Sequence, residues 1–287
     1  MKKNLKILAE LTKIKITSFV TLTTIVGYLA YSGGFNFQIL FPVIGILFLA
    51  CGSAVINHIQ ERSIDALMSR TKYRPIPSGR ISVTNANLIA GVLLLTGSIV
   101  LFFGSGILAL GLALLNLIWY NLIYTPLKKK SSLAIIPGAL VGAIPPAVGW
   151  ISAGGYIFDK EILILSSFFF IWQIPHFWLL MMSLDKDYQQ AGLPTITKYF
   201  SKIQLAKIIF VWIFATVITG FLIPFFRLMD FSVVYYVLLA AGISLTLSAV
   251  KLLSWQEENI SFRFTFRNIN LFALLLIVLV SIDRLIK

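Results

Sequence analysis

Residues 40–80 read LFPVIGILFLACGSAVINHIQERSIDALMSRTKYRPIPSGR, and this stretch carries the main evidence on fold and chemistry together. The part up to Ile56 contains no Asp, Glu, Lys, Arg or His, and it is long enough to cross most of a bilayer as a helix. The part from Asn57 to Arg80 holds seven charged side chains. The change at Asn57 therefore predicts that a transmembrane helix here reaches the membrane surface.

Similar apolar runs recur along the chain. The 287 residues are 58% hydrophobic and 12% charged, with a mean hydropathy of +0.90, which excludes an ordinary soluble domain. No linker or second soluble region interrupts them. We predict an all-α integral membrane protein, one polytopic domain over residues 1–287, with nine transmembrane helices near residues 16–32, 38–58, 84–103, 106–124, 133–152, 162–183, 207–226, 231–252 and 267–284.

The net charge of +13 could suggest a nucleic-acid partner, but its distribution argues against one. With nine helices, 20 of the 24 Lys and Arg residues fall on the side that holds the N-terminus, and Lys287 is among the four on the other side. This asymmetry is typical of membrane topology and predicts a cytoplasmic N-terminus. Residues 1–15 are predicted to form an amphipathic leader on the membrane surface. The single cysteine, Cys51, excludes an intramolecular disulfide.

Asn57, Glu61 and Asp65 are spaced four residues apart, so a helix places them on one face. Carboxylate and amide oxygens suit a hard cation, and Mg²⁺ is usually held by one or two carboxylates together with water and substrate phosphates. The spacing therefore predicts a metal-binding face for a phosphate-bearing substrate. The alternative is that Glu61 and Asp65 are ordinary helix-end acids paired with Arg62 and Arg70.

Basic residues suited to phosphate lie nearby in the sequence. Arg70 and Arg74 follow the acidic face, and Lys128–Lys130 follow the fourth helix, where they could equally be topology anchors. Asp185 and Asp187 form a second acidic cluster at the end of the sixth helix. Metal ligands, cations and an aromatic-rich apolar interior together suit the ionisation of an allylic diphosphate, whose carbocation must be kept from water.

Three motifs carry a family resemblance. NHIQERSIDALMSRTKYRP resembles the Asn-x3-Asp-x3-Asp signature of the UbiA superfamily of intramembrane prenyltransferases, and it is most similar to the form found in protohaem IX farnesyltransferases. YTPLKKK is similar to the Tyr-Thr-x-x-Lys-Arg element, with Tyr124 and Lys128 in register and Lys129 where Arg is usual. WQIPHFW, followed by DYQQAGLPT, resembles the sixth-helix signature.

The resemblance implies Mg²⁺-dependent transfer of farnesyl from farnesyl diphosphate to the vinyl group of haem B (protohaem IX), giving haem O, with haem as a substrate. It also implies a multi-pass protein of the bacterial inner membrane and partners in haem-copper oxidase assembly. The implied catalytic residues are Asn57, Glu61, Asp65 and Asp187, which with Asp185 would hold the metal. The implied diphosphate-binding residues are Arg70, Arg74, Tyr124, Lys128 and Lys129, and those implied for haem are Trp172 and His176.

Two other functions stay open. A related prenyltransferase could act on a quinone precursor or another aromatic acceptor, and the PHFW element argues against it. A transporter would keep its polar residues near the membrane midplane, whereas here they gather at one face. For His176, a hydrogen-bonded structural role is the alternative to haem contact.

Overall fold

The computed structural model describes residues 2–253 and 261–286, so Met1, residues 254–260 and Lys287 lie outside the description. The described residues form helices joined by turns, with no strand among them. The main helices are α1 (Lys2–Leu11), α2 (Ile14–Ser32), α3 (Leu40–Leu67), α4 (Val83–Ile118), α5 (Leu140–Ser152), α6 (Lys160–Gln190), α7 (Lys202–Phe225), α8 (Ser232–Val250) and α9 (Phe262–Ile286).

Within the described ranges, eight helical segments are long and apolar enough to span a membrane. One of them, Val83–Leu127, has 45 residues, and at about 1.5 Å per residue it would be roughly twice the thickness of the hydrocarbon core. It is broken at Gly106, whose φ of 84° and ψ of 172° are not helical. Glycine fits this position because it lacks the Cβ that disfavours positive φ.

The two halves of this long segment run in opposite directions beside α3. The first half is antiparallel to α3, because Gly45 packs on Leu101 while Gly52 packs on Leu94. The second half is parallel to α3, because Ser53 bonds to Asn121 while Asn57 bonds to Thr125. The segment is therefore a helical hairpin that crosses twice, and with seven other spanning segments in the described residues the predicted nine crossings are confirmed.

Helices α2 and α5 approach each other through glycine. A Cβ added at Gly149 would lie 2.0 Å from the carbonyl oxygen of Thr24, and one added at Gly27 would lie 1.9 Å from that of Pro146. Small residues in α5 thus serve helix packing, as their spacing suggests. The largest apolar core lies beside this pair, where buried aliphatic and aromatic side chains of α6, α7 and α9 meet.

A methyl group at Gly149 should destabilise the bundle, because both α2 and α5 would have to move apart at backbone level. We expect Gly149→Ala to lower the free energy of unfolding by about 1–3 kcal/mol, as overpacked cores do. Thermal unfolding of the purified protein in detergent would measure this. Gly91→Ala is the matched control, because a Cβ at Gly91 meets no atom within 4 Å. Equal melting temperatures for the two variants would contradict the close packing.

Candidate active site

The oxygen-bearing stripe predicted on α3 is present and buried. The exposed fractions are 0% for Asn57, 7% for Glu61 and 3% for Asp65. Carboxylates removed from water need opposite charge or hydrogen-bond donors close by. Each member of the stripe has such a partner, and the three partners are Lys13, Lys128 and Arg74.

Arg74 reaches the stripe because the chain turns back after α3. Helix α3 ends at Leu67, and Met68 is extended. The hydroxyl of Thr71 then donates to the carbonyl of Asp65 at 2.9 Å, which closes the turn. Nη1 of Arg74 lies 2.8 Å from both carboxylate oxygens of Asp65. The sequence-local arginine that pairs with Asp65 is therefore Arg74, and Arg70 is exposed at the surface.

Lys128 is held at the end of the second hairpin half by an unusual helical turn. Residues Trp119–Tyr124 are π-helical, a form often found at functional sites. The Thr125 hydroxyl accepts from the Asn57 side chain at 3.1 Å, which fixes this turn against α3. The Lys128 ammonium then pairs with Glu61. Burial opposes its charged form, but the Glu61 carboxylate raises the pKa of Lys128 above its ordinary value.

Lys13 is a site residue that the sequence analysis missed. It was placed in the surface leader, but its Nζ lies 2.6 Å from Oδ1 of Asn57 and lines the central cavity. Its backbone adopts the left-handed conformation with φ of 50°, which costs free energy in a residue other than glycine. Burial, followed by the charges of Arg74 and Lys128, lowers its pKa to about 7. No spacing or motif distinguishes Lys13 from its basic neighbours.

A cavity of about 280 Å³ opens beside the stripe and extends into the bundle between α2, α3, α5 and α6. Lys13 and Lys128 line it and stand between its interior and the oxygen stripe. Its wall is mostly apolar and includes four aromatic rings, those of Tyr120, Tyr124, Phe177 and Tyr188. The cavity thus joins a cationic mouth to an apolar interior.

The stripe fits a divalent metal that shares its ligands with a substrate. In the described ranges, no three His, Cys, Asp or Glu side chains lie close enough to hold a metal by themselves. Mg²⁺ sites often have only one or two carboxylates and are completed by water and phosphate. The donors here are the hard oxygens of Asn57, Glu61 and Asp65, and three cations face these two carboxylates, which leaves positive charge for an anionic substrate.

Other predicted site residues are not joined to this cluster by any described contact. Lys129 donates a hydrogen bond to the carbonyl of Gln60 at 3.0 Å and is not among the residues that line the cavity. Asp185 accepts hydrogen bonds from Thr197 at 2.8 Å and Gln189 at 2.7 Å. Asp187 is partly buried, and its side chain makes no hydrogen bond or ion pair among the described residues. Roles for these residues and for Arg70 in metal or diphosphate binding stay predictions.

Trp172 and His176 lie together on the side of α6 that faces α9. Their ring centroids are 4.8 Å apart, and the Trp172 indole donates to the carbonyl of Ile269 at 3.2 Å. His176 is partly buried, and its Nδ1 lies 2.6 Å from Oδ1 of Asn270. The amide of Asn270 is oriented because its nitrogen donates to the carbonyl of Phe266 at 2.6 Å.

This orientation determines the tautomer of His176. Because the Asn270 oxygen faces Nδ1, Nδ1 must carry the proton and donate, which leaves a lone pair on Nε2. Nε2 has no hydrogen-bond partner among the described residues. A histidine whose other nitrogen is held by an amide oxygen is the usual form of a metal-ligating imidazole.

Comparison with known proteins places this architecture in a family. The model of the UbiA prenyltransferase family matches residues 20–275. A protoheme IX farnesyltransferase of Oleidesulfovibrio alaskensis is 30% identical over 287 residues, covering 98% of each chain. One of Cytophaga hutchinsonii is 36% identical over 251 residues, covering 86% of each chain.

Solved structures show the same fold at low sequence identity. A digeranylgeranylglyceryl phosphate synthase superposes with a TM-score of 0.80 and 18% identity over 100% of both chains. A UbiA homolog from Archaeoglobus fulgidus, bound to GPP and Mg²⁺, superposes with a TM-score of 0.72 and 17% identity, covering 96% of this chain and 99% of that one. The nine-crossing bundle and the family model agree, and the chain belongs to the UbiA prenyltransferase family.

Proposed function

We propose that the chain is a haem-farnesylating enzyme, transferring farnesyl from farnesyl diphosphate to a vinyl group of haem B to make haem O. The observation that carries this proposal is the buried stripe of Asn57, Glu61 and Asp65, which three cations face at the mouth of an apolar, aromatic cavity. Relatives that cover nearly the whole chain are named protoheme IX farnesyltransferases, and this supports haem as the acceptor.

The reaction begins when the allylic C–O bond breaks and diphosphate leaves with the electron pair. Lys13, Lys128 and Arg74 neutralise the leaving group, because charge-assisted hydrogen bonds to phosphate oxygens are strong in a site shielded from water. Asn57, Glu61 and Asp65 would hold Mg²⁺, which supplies further positive charge for the developing anion. The UbiA homolog bound to GPP and Mg²⁺ supports this combination of ligands.

The farnesyl cation then needs a dry environment until the vinyl carbon attacks. Tyr124 stacks near Tyr120 at 5.9 Å and near Phe177 at 6.3 Å, so the cavity presents several aromatic faces. Aromatic faces stabilise cations without reacting with them. A new C–C bond forms to the vinyl group, and the benzylic-type cation left on the porphyrin side takes up water and releases a proton, which gives the hydroxyl group of haem O.

His176 supports the choice of acceptor. Its free Nε2 lone pair is suited to haem iron, and Asn270 holds the ring in that tautomer. Trp172 provides a flat aromatic neighbour.

The chain is a multi-pass membrane protein, and we place it in the bacterial inner membrane with the cationic end of the bundle in the cytoplasm. Partners in oxidase assembly stay a prediction.

The direct test is incubation of the purified protein with haem B, farnesyl diphosphate and Mg²⁺, followed by mass spectrometry. We expect a product that carries one farnesyl group and one added water. A parallel reaction with an aromatic quinone precursor tests the related activity. A farnesylated quinone precursor in the absence of any farnesylated haem would refute the proposed acceptor.

Asp65→Asn should lower product formation on the order of a hundredfold, because one negatively charged metal ligand is lost while the side-chain shape is kept. The measurement is the initial rate at several Mg²⁺ concentrations, with gel filtration to verify folding. Glu10→Gln is the control, because Glu10 pairs with Arg80 at the surface, outside the cavity. Wild-type turnover by Asp65→Asn would count against the metal-binding stripe.

Lys13→Met should weaken the binding of a non-hydrolysable farnesyl diphosphate analogue by about ten- to hundredfold, because a hydrogen bond to a charged group contributes about 1.5–3 kcal/mol. Isothermal titration calorimetry would measure the affinity. Lys15→Met is a closely matched control, because Lys15 is two residues away and exposed. If both variants bind the analogue like the wild type, Lys13 is not a diphosphate ligand.

His176→Ala should weaken haem binding, because the iron loses its nitrogen ligand, while the affinity for the diphosphate analogue is kept. Absorbance titration with haem B would show the loss, and added imidazole should restore the ligated spectrum. If the haem titration is unchanged, His176 does not bind the iron, and its contact with Asn270 is structural.

A further inference from the structure

A groove separate from the central cavity lies between α2 and α9. It is lined by Phe19 of α2 and by residues of the first four turns of α9, together with Ser261. Its apolar lining includes the rings of Phe264 and Phe266. Its polar lining includes two guanidinium groups, those of Arg263 and Arg267. Nothing in the proposed reaction uses these two arginines.

Arg263 and Arg267 are four residues apart on one helix, so they lie on the same face as like charges, an arrangement that is unfavourable without an anion. Both are exposed, and neither forms an ion pair or hydrogen bond with any residue in the described ranges. Arg267 lies over the ring of Phe264 at 5.4 Å, and Nζ of Lys251 lies near the same ring at 5.6 Å. Two cations, Arg267 and Lys251, thus lie against one aromatic ring, and neither forms an ion pair with a carboxylate among the described residues.

The groove is adjacent to His176. Asn270, which holds Nδ1 of His176, lines the groove. Phe266 also lines it, and its ring centroid is 5.0 Å from that of His176. On the other side, Phe177 is 5.4 Å from His176 and lines the central cavity. The imidazole therefore lies between the arginine-bearing groove and the cavity that would hold the farnesyl chain.

A planar aromatic molecule with two carboxylates at one edge matches this arrangement. We propose that Arg263 and Arg267 bind the two propionate carboxylates of the porphyrin acceptor, an assignment that rests on the proposed function. The aromatic rings of the groove contact the macrocycle, and His176 faces its iron. Guanidinium forks recognise carboxylates through paired hydrogen bonds, so the arginines orient the porphyrin and turn its opposite edge, which carries the vinyl groups, toward the cavity.

The test compares haem B with haem dimethyl ester, in which both carboxylates are methylated. Each is titrated by absorbance into the full-length protein in phosphatidylcholine nanodiscs. We expect the wild type to bind haem B at least tenfold more tightly than the ester. Arg263→Gln and Arg267→Gln should each weaken haem B binding about tenfold and leave ester binding unchanged. Arg267→Lys, which keeps the charge, should lose less affinity than Arg267→Gln.

Lys6→Gln is the control, because it removes one exposed positive charge from the leader, away from the groove, and it should bind both ligands like the wild type. Wild-type haem B affinity in both glutamine variants, or an equal loss for haem B and its ester, would overturn the carboxylate assignment and leave the proposed function intact. Failure of the wild type to bind haem B would overturn both proposals.

Discussion

The site depends on charge compensation at the end of α3, where two carboxylates and an amide are buried against three cations. Glu61 and Asp65 would be strongly unfavourable in this position without Lys128 and Arg74. Together with Lys13 these two residues make three cations against two acids, so the cluster retains attraction for an anion. A helix that ends in such a cluster has to end at the membrane surface. The neighbouring segments have to place their basic residues at the same depth in the membrane. The fold around the site follows from this requirement, because the turn after α3, the π-helical turn and the start of α2 all converge on it.

Much of the fold could be predicted from the sequence, because hydrophobic runs and the distribution of Lys and Arg depend on the bilayer and not on long-range contacts. The nine crossings were predicted from the lengths of the apolar runs and from the distribution of charge. The break at Gly106 confirmed that the third and fourth apolar runs are separate crossings. The stripe on α3 was predictable because helical periodicity alone places Asn57, Glu61 and Asp65 on one face. Chemistry and family resemblance singled out Arg74 and Lys128 as candidates for this site, although their individual carboxylate partners could not be predicted.

The parts that could not be predicted depend on backbone conformation and on contacts between distant segments. Lys13 enters the site through a left-handed backbone at a residue that has no sequence preference for it. Asn270 contacts His176 across 94 positions in the sequence, and an asparagine in an apolar helix gives no indication of its partner. Exposed basic residues at the start of α9 resemble topology anchors in the sequence, and only the groove beside them distinguishes Arg263 and Arg267. For Asp185 and Asp187 the opposite holds. The motif predicts a role for them, but no described contact joins them to the site, so that role stays a prediction.

The hairpin at Gly106 has a consequence for biosynthesis. Asn57 and its partner Thr125 are 68 residues apart, and the ammonium that pairs with Glu61 follows on the same returning helix. When α3 first enters the bilayer, Glu61 therefore has no lysine from the hairpin and must stay hydrated at the surface, whereas Asp65 already has its local partner Arg74. Glu61 can be buried only after both halves of the hairpin have been inserted. The turn at Gly106 thus precedes the crossing that brings Lys128 back to Glu61, so that assembly of this charge cluster is tied to completion of the fourth crossing.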